Sequence, residues 1–254
     1  MSDQPIEVEE RDGVLWVWLN RPDKRNAISG AMLTELERIV ERLEKGFDTR
    51  VLVLAARGTA FCAGADLEEG SDGAAALERS TVLFNRIEDL PQPVLAAVNG
   101  IACAGGLEIL LTTDIIIAGE SARFADIHAN VGLIPGAGGA YRLPHWVGLP
   151  MAKRMLLTGD IFDAASMREA GLVSEVVPDD ALHARVAEVA GQLARKSPLG
   201  LAAMKRLARQ SLTEDRDTAM AAGLEENVLH ARREDFAEAM AAFAERRAPV
   251  FVGR

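Results

Sequence analysis

Three short runs constrain this chain more than anything else in it: Val51–Ala56, Val94–Val98 and residues 115–118. Each is apolar at every position and partly β-branched. A strand with one face in water alternates polar and apolar residues, so strands without alternation are covered on both faces, as in a parallel sheet clad with helices. The first two runs lead into glycine-rich stretches, RGTAFCAGADL (57–67) and NGIACAGGLEIL (99–110), and a helix is expected after each. Strand, glycine turn and helix recur at a spacing of about 40 residues, which predicts an α/β architecture of stacked repeats.

Flanking segments fit that frame. Residues 6–20 read as a hairpin turning at Asp12-Gly13, with a second strand apolar on both faces from Val14 to Leu19. Ser29 is placed to cap a helix that runs to about Lys45 and stops at Gly46. Beyond Leu149 the composition turns Ala-rich; Asp163 is expected to cap a helix ending at Gly171, and residues from about 180 to 247 read as almost wholly helical, broken at Ser197-Pro198. The organisation expected is a core over residues 1–190 and a helical region over 191–254.

Composition narrows the function. With 38 acidic and 28 basic residues the net charge is −10, which argues against nucleic acid or an anionic membrane surface as partner. No apolar run reaches the ~18 residues of a membrane span, and the acidic start is unlike a secretion signal. Two cysteines, Cys62 and Cys103, make no disulfide framework and are expected to pack as small buried residues in a reduced, cytoplasmic protein. No Cys/His spacing suits a metal. With four His and one Tyr in the chain, acid–base chemistry falls mainly to carboxylates.

Two places carry chemistry. In FCAGADL (61–67) small residues let the backbone approach a ligand. In Gly105-Gly106-Leu107-Glu108 a helix is expected to begin, and its free N–H groups favour an anion or developing oxyanion. Two such donors aimed at one oxygen make an oxyanion hole; glycine turns are also ordinary punctuation in α/β folds, and a glutamate near a helix start is favourable for the dipole alone. PGAGG (135–139) lacks the spacing of a dinucleotide-binding fingerprint.

The order and spacing of LNRPDKRNAIS (19–29), FCAGADL (61–67), the stretch from Pro93 to Phe124, VGLIPGAGGAYRLP (131–144), residues 156–178 and the tail FAERRAPVF (243–251) resemble the enoyl-CoA hydratase/isomerase, or crotonase, superfamily over nearly the whole chain. The resemblance implies a spiral of ββα turns with a C-terminal helical oligomerisation region, assembled as a homotrimer or a hexamer of paired trimers. It implies an acyl-CoA thioester substrate and no cofactor, coenzyme A being part of the substrate. It carries the two oxyanion amides to Ala65 and Gly105, and the first of the family's two glutamates to Glu108. Coenzyme A contacts fall to Lys24 and Arg25 in the N-terminal loop, to Ala63 and Asp66 beside the first turn, and to Arg246, which in relatives often reaches a neighbouring subunit's ligand.

This chain departs from the family pattern at one position. Aligning Phe124 and Gly132 with the pattern puts His128 where the second glutamate belongs. A histidine can give or take a proton near neutral pH, so Glu108 and His128 form the expected catalytic pair, with Asp126 as a lesser candidate for the absent carboxylate. The leading expectation is hydration of a 2-enoyl-CoA. The alternatives are a double-bond isomerase, for which one base suffices, and a non-catalytic acyl-CoA binder. His145, His183 and His230 receive no role, Tyr141 is expected to pack, and acyl specificity is expected to reside in residues 68–90.

Overall fold

The computed structural model describes residues 4–69 and 73–254. Strands β1 (Ile6–Arg11) and β2 (Val14–Leu19) form the expected antiparallel hairpin. Helix α1 (Gly30–Leu43) follows, with the Ser29 hydroxyl accepting from the Met32 amide, the N-cap its sequence position predicts. Its buried residues Met32, Leu33, Leu36, Val40 and Leu43 form one helical stripe.

The three apolar runs are the central strands β3 (Val51–Ala56), β5 (Val94–Val98) and β7 (Ile115–Gly119). They pair in parallel in a six-stranded sheet ordered β1-β2-β3-β5-β7-β10, where β10 is Glu175–Val177. The glycine-rich stretches hold something periodicity does not reveal: three-residue strands β4 (Ala60–Cys62), β6 (Ile101–Cys103) and β8 (Arg123–Ala125), which build a second sheet closed by β9 (Phe162–Asp163). Each turn of the chain thus lays one strand in the large sheet and one in the small. Helix α2 (Gly73–Asp89) follows the first such turn, α3 (Gly105–Leu110) the second, and α4 (Gly139–Thr158) the third. This is the expected spiral.

Phe61, Phe84 and Phe124 are fully buried where the two sheets and α2 meet. Truncating any of them to Ala removes about 3–5 kcal/mol by the usual behaviour of buried aromatics. Helix α5 (Ala164–Glu169) is capped by Asp163 as expected. The tail is α6 (Leu182–Ala194), α7 (Pro198–Gln210), α8 (Arg216–His230) and α9 (Glu234–Glu245), so the helical stretch is broken at 211–215 and 231–233 as well as at Ser197-Pro198. The expected division at 190/191 falls inside α6, whose Leu182, Val186 and Ala190 pack on the large sheet. Tyr141 does not pack: it is 59% exposed, with His145 edge-on to its ring. No described helix is long and apolar enough to cross a membrane.

Candidate active site

The small sheet brings the two glycine turns side by side. β4 and β6 run parallel, so the chain leaves both in the same direction and at the same level. Gly64, at φ +103°, turns the first exit, and Ala104, at φ +49° without being a glycine, turns the second. Backbone held at positive φ by a non-glycine residue is strain kept by its surroundings, a frequent feature of functional turns. A Cβ built on Gly105 would lie 3.4 Å from the Ala65 nitrogen, so the two chains touch at these residues. Among the described residues neither the Ala65 nor the Gly105 N–H has a backbone carbonyl partner. Gly105 opens α3, where an N–H has no acceptor within the helix.

Ala63, Ala65, Asp66, Ala104 and Gly105 line one cavity of about 500 Å3, together with Glu108 and His128. Its remaining walls are chiefly apolar, with Leu33, Leu77, Phe84, Val131 and Ile134 among them. Size and lining suit a ligand that is largely apolar with a few fixed polar contacts. A larger open cleft of about 870 Å3, between α4 and α7, contains neither glycine turn nor Glu108 nor His128.

Glu108 is 2% exposed. Its Oε1 accepts hydrogen bonds from the Ala137 N–H at 2.8 Å and the Gly139 N–H at 2.9 Å. PGAGG is therefore a clamp for this carboxylate. The clamp is itself held: Arg142 donates to the Ala137 carbonyl, to Glu88 and to Asn85, the last two on α2. Oε2 is left facing His128 Nε2 at 3.9 Å. Burial pushes the Glu108 carboxyl above the usual carboxylate range, opposed by the Gly139 N–H, the His128 charge and the Ala137 N–H. His128 is raised in turn, first by its hydrogen bond to Asp126 and then by the charges of Asp126 and Glu108, against the opposing effect of burial.

Asp126 is not the substitute carboxylate. It is 1% exposed, and its Oδ1 accepts from His128 Nδ1–H at 2.8 Å and from the His128 amide at 3.3 Å. It stands behind the histidine, and the cavity wall includes His128 but not Asp126. The chain enters a tight 3-10 turn at His128–Val131, which folds the histidine back onto the aspartate instead of carrying both on one face of an extended segment.

The proposed coenzyme A residues divide. Ala63 and Asp66 are at the cavity. Asp66 is tied to Arg21 at 2.7 Å, and that hydrogen bond is the main cause holding its carboxyl below the usual range. It also accepts from the Glu68 N–H, opening a short turn as a cap does. Lys24 pairs with Glu68 on the surface nearby, and Arg25 lies in the same loop, its carbonyl accepting from the Ala63 N–H. Arg246 ends α9 in a left-handed conformation and is not part of the cavity of its own chain. The sequence reading missed Asn26, a buried residue whose amide donates to the Arg57 and Ala60 carbonyls and pins the loop to the start of β4. Cys62 and Cys103 are buried thiols, and burial pushes Cys62 up to about 12, so neither is a nucleophile here. His183 packs edge-on against Trp16 and Trp18, away from the cavity. Among the described residues no cluster of ligating side chains suits a metal.

A family model described as enoyl-CoA hydratase/isomerase matches residues 9–254. The 2,3-dehydroadipyl-CoA hydratase of Escherichia coli is 38% identical over the full length of both chains. The 1,2-epoxyphenylacetyl-CoA isomerase of the same organism is 32% identical, over 95% of this chain and 96% of its own. Among solved structures, an enoyl-CoA hydratase from Bacillus anthracis superposes with a TM-score of 0.96 at 34% identity, covering 99% of this chain and 100% of its own.

Proposed function

Because the chain belongs to the enoyl-CoA hydratase/isomerase family, we propose that its cavity adds water across the double bond of a 2-enoyl-CoA. The reading rests above all on one observation: a buried glutamate with one oxygen clamped by two backbone amides and the other turned toward a histidine, in a cavity that also holds two amides without a backbone partner among the described residues. The thioester oxygen sits between the Ala65 and Gly105 N–H groups, which stabilise the negative charge as the enolate forms. Glu108 Oε2 takes a proton from water as the water oxygen bonds to the β-carbon. His128 returns a proton to the α-carbon from Nε2. The pair ends the reaction with the number of protons it began with, as addition of a neutral molecule requires.

Burial raises the Glu108 carboxyl, while the hydrogen-bond partners of each group favour its charged form. Two N–H donors favour the Glu108 carboxylate, and the Asp126 carboxylate favours the His128 imidazolium. Burial opposes the Glu108 charge, and these partners work against that, so a proton acceptor and a proton donor can face each other at 3.9 Å. The test is loss of conjugated absorbance from 2-enoyl-CoAs of several chain lengths. Folded protein that converts none of them sinks the hydratase reading, and a gain of conjugated absorbance from 3-enoyl-CoAs supports the isomerase instead.

Leu77 on α2 rests on Gly136, where a Cβ would come within 2.6 Å of it, and closes the cavity between α2 and the PGAGG clamp. It lies in the segment to which acyl specificity is assigned. Leu77→Ala is expected to shift kcat/KM toward longer or branched acyl chains, by about tenfold per methylene accommodated. A panel of enoyl-CoAs measured with both proteins reads this directly.

The surface of the tail supports an assembly. Met220, Leu224, Val228, Met240 and Phe243 are large apolar side chains left exposed on α8 and α9, and clustered exposed apolar side chains mark contact surfaces. We propose that they are covered in a homotrimer, or a hexamer of two trimers, which also brings Arg246 toward a neighbour's coenzyme A. Light scattering is expected to give three or six times the 27.3 kDa chain mass; a monomer at micromolar concentration rejects the assembly. Cytoplasmic placement rests on the two unpaired cysteines.

A further inference from the structure

We propose that Asp126 is a positioning residue for this reaction: it fixes the His128 ring so that Nδ1–H points at Asp126 and Nε2 faces the cavity opposite Glu108. The inference rests on the hydratase reading for its purpose, but its geometry stands without it. Asp126 Oδ1 lies 2.8 Å from the ring Nδ1 and accepts from the backbone amide of His128, so one carboxylate oxygen holds the ring and the peptide that carries it. The other oxygen, Oδ2, is buried with no hydrogen-bond partner among the described residues. A buried carboxylate oxygen left unpaired is costly. An aspartate present only to fill space would be better replaced by a neutral side chain, so its charge has a use, and the group it serves is the imidazole.

The titratable and charged groups around the ring come from several elements. Asp126 lies just beyond β8, and Glu108 faces the ring from α3. Cys103 of β6 is within electrostatic reach of Asp126 and of Arg25 in the N-terminal loop, and burial opposes its ionisation. The two carboxylates both favour the imidazolium, and the Asp126 hydrogen bond has the larger effect. Removing the Asp126 charge therefore lowers the pH at which His128 gives up its proton. A pair that needs an imidazolium to protonate the α-carbon then loses activity on the alkaline side sooner.

Two measurements test this. Asp126→Asn keeps the shape but can donate to Nδ1, which turns the ring's proton to Nε2 in the neutral form. It is expected to cut kcat on the order of 100-fold, leave KM little changed, and move the alkaline fall of kcat/KM to lower pH. Asp126→Ala, which loses packing but imposes no wrong tautomer, is expected to be no worse in kcat. If Asp126→Asn keeps the native kcat and pH profile, or is milder than Ala with the profile unmoved, the residue is only structural. The second measurement uses the native chain and needs no turnover: nitrogen NMR of 15N-histidine-labelled protein, with His128 assigned by the signal missing in His128→Gln. Neutral His128 is expected to carry its proton on Nδ1, and a proton on Nε2 overturns the proposal. If Asp126→Asn fails to fold, this experiment decides. If the native chain hydrates no enoyl-CoA yet shows the Nδ1–H tautomer, the reaction reading has failed while the ring is positioned as stated.

Discussion

Replacing Glu108 by Gln is expected to cut the rate of 2-enoyl-CoA hydration by roughly 10²–10⁴-fold, the range for a positioned acid–base group. KM and thermal stability are expected to change little. The amide can keep Oε1 as the acceptor from Ala137 and Gly139, so the clamp and the loop it organises survive. What changes is the second position: Oε2, which faces His128 Nε2 at 3.9 Å, becomes an NH2 group that cannot take a proton from water. The substitution also removes one of the two carboxylates that favour the His128 imidazolium. The buried position argues against a large loss of stability, since burial already disfavours the charged form and a neutral amide avoids that cost. Absorbance kinetics beside a melting curve read both halves. Unchanged kcat in a folded variant removes Glu108 from the role of water-activating base.

How much of this was legible in the sequence depended on whether the cause was local. β2, β3, β5 and β7 were visible because burial on both faces writes an unbroken apolar run, and α1 because its cap and stripe sit within a few residues of each other. The small sheet was not visible. β4, β6 and β8 are three residues each, lie in glycine-rich sequence, and exist because the large sheet holds them at one level. The identity of Glu108 as the carboxylate came from its motif, but its clamp lies 29 and 31 residues further along the chain, and nothing in PGAGG says which acceptor its amides will meet. Asp126 is an instructive miss. It is only two residues from His128, a spacing that puts two side chains on one face if the segment is extended. The 3-10 turn that starts at His128 puts one behind the other, which converts a rival carboxylate into the histidine's support.

The second large effect is expected at a residue with no reactive group. Gly106→Ala is expected to abolish measurable hydration and to destabilise the fold by about 1–3 kcal/mol, as overpacking of a close contact does. A Cβ at this position would lie 2.2 Å from the Cys62 carbonyl oxygen and 2.7 Å from its carbon, and both are backbone atoms of β4. No side-chain rotation relieves such a contact, so either α3 or the first glycine turn must move. The same contact that forbids a side chain is what brings Gly105 within reach of Ala65. Pushing the chains apart therefore spreads the two amides that are to hold one oxygen, and losing one such donor alone costs about 10²–10³ in rate. Glu108, two residues further along the same helix, would be displaced relative to its clamp as well. Gly46→Ala is the control, since a Cβ there meets nothing within 4 Å and the backbone is not in the left-handed region. The measurement is kcat together with a denaturant midpoint for both variants. If Gly106→Ala keeps native turnover, the spacing of the two turns is not what sets the oxyanion site, and the Ala65 and Gly105 assignment falls with it.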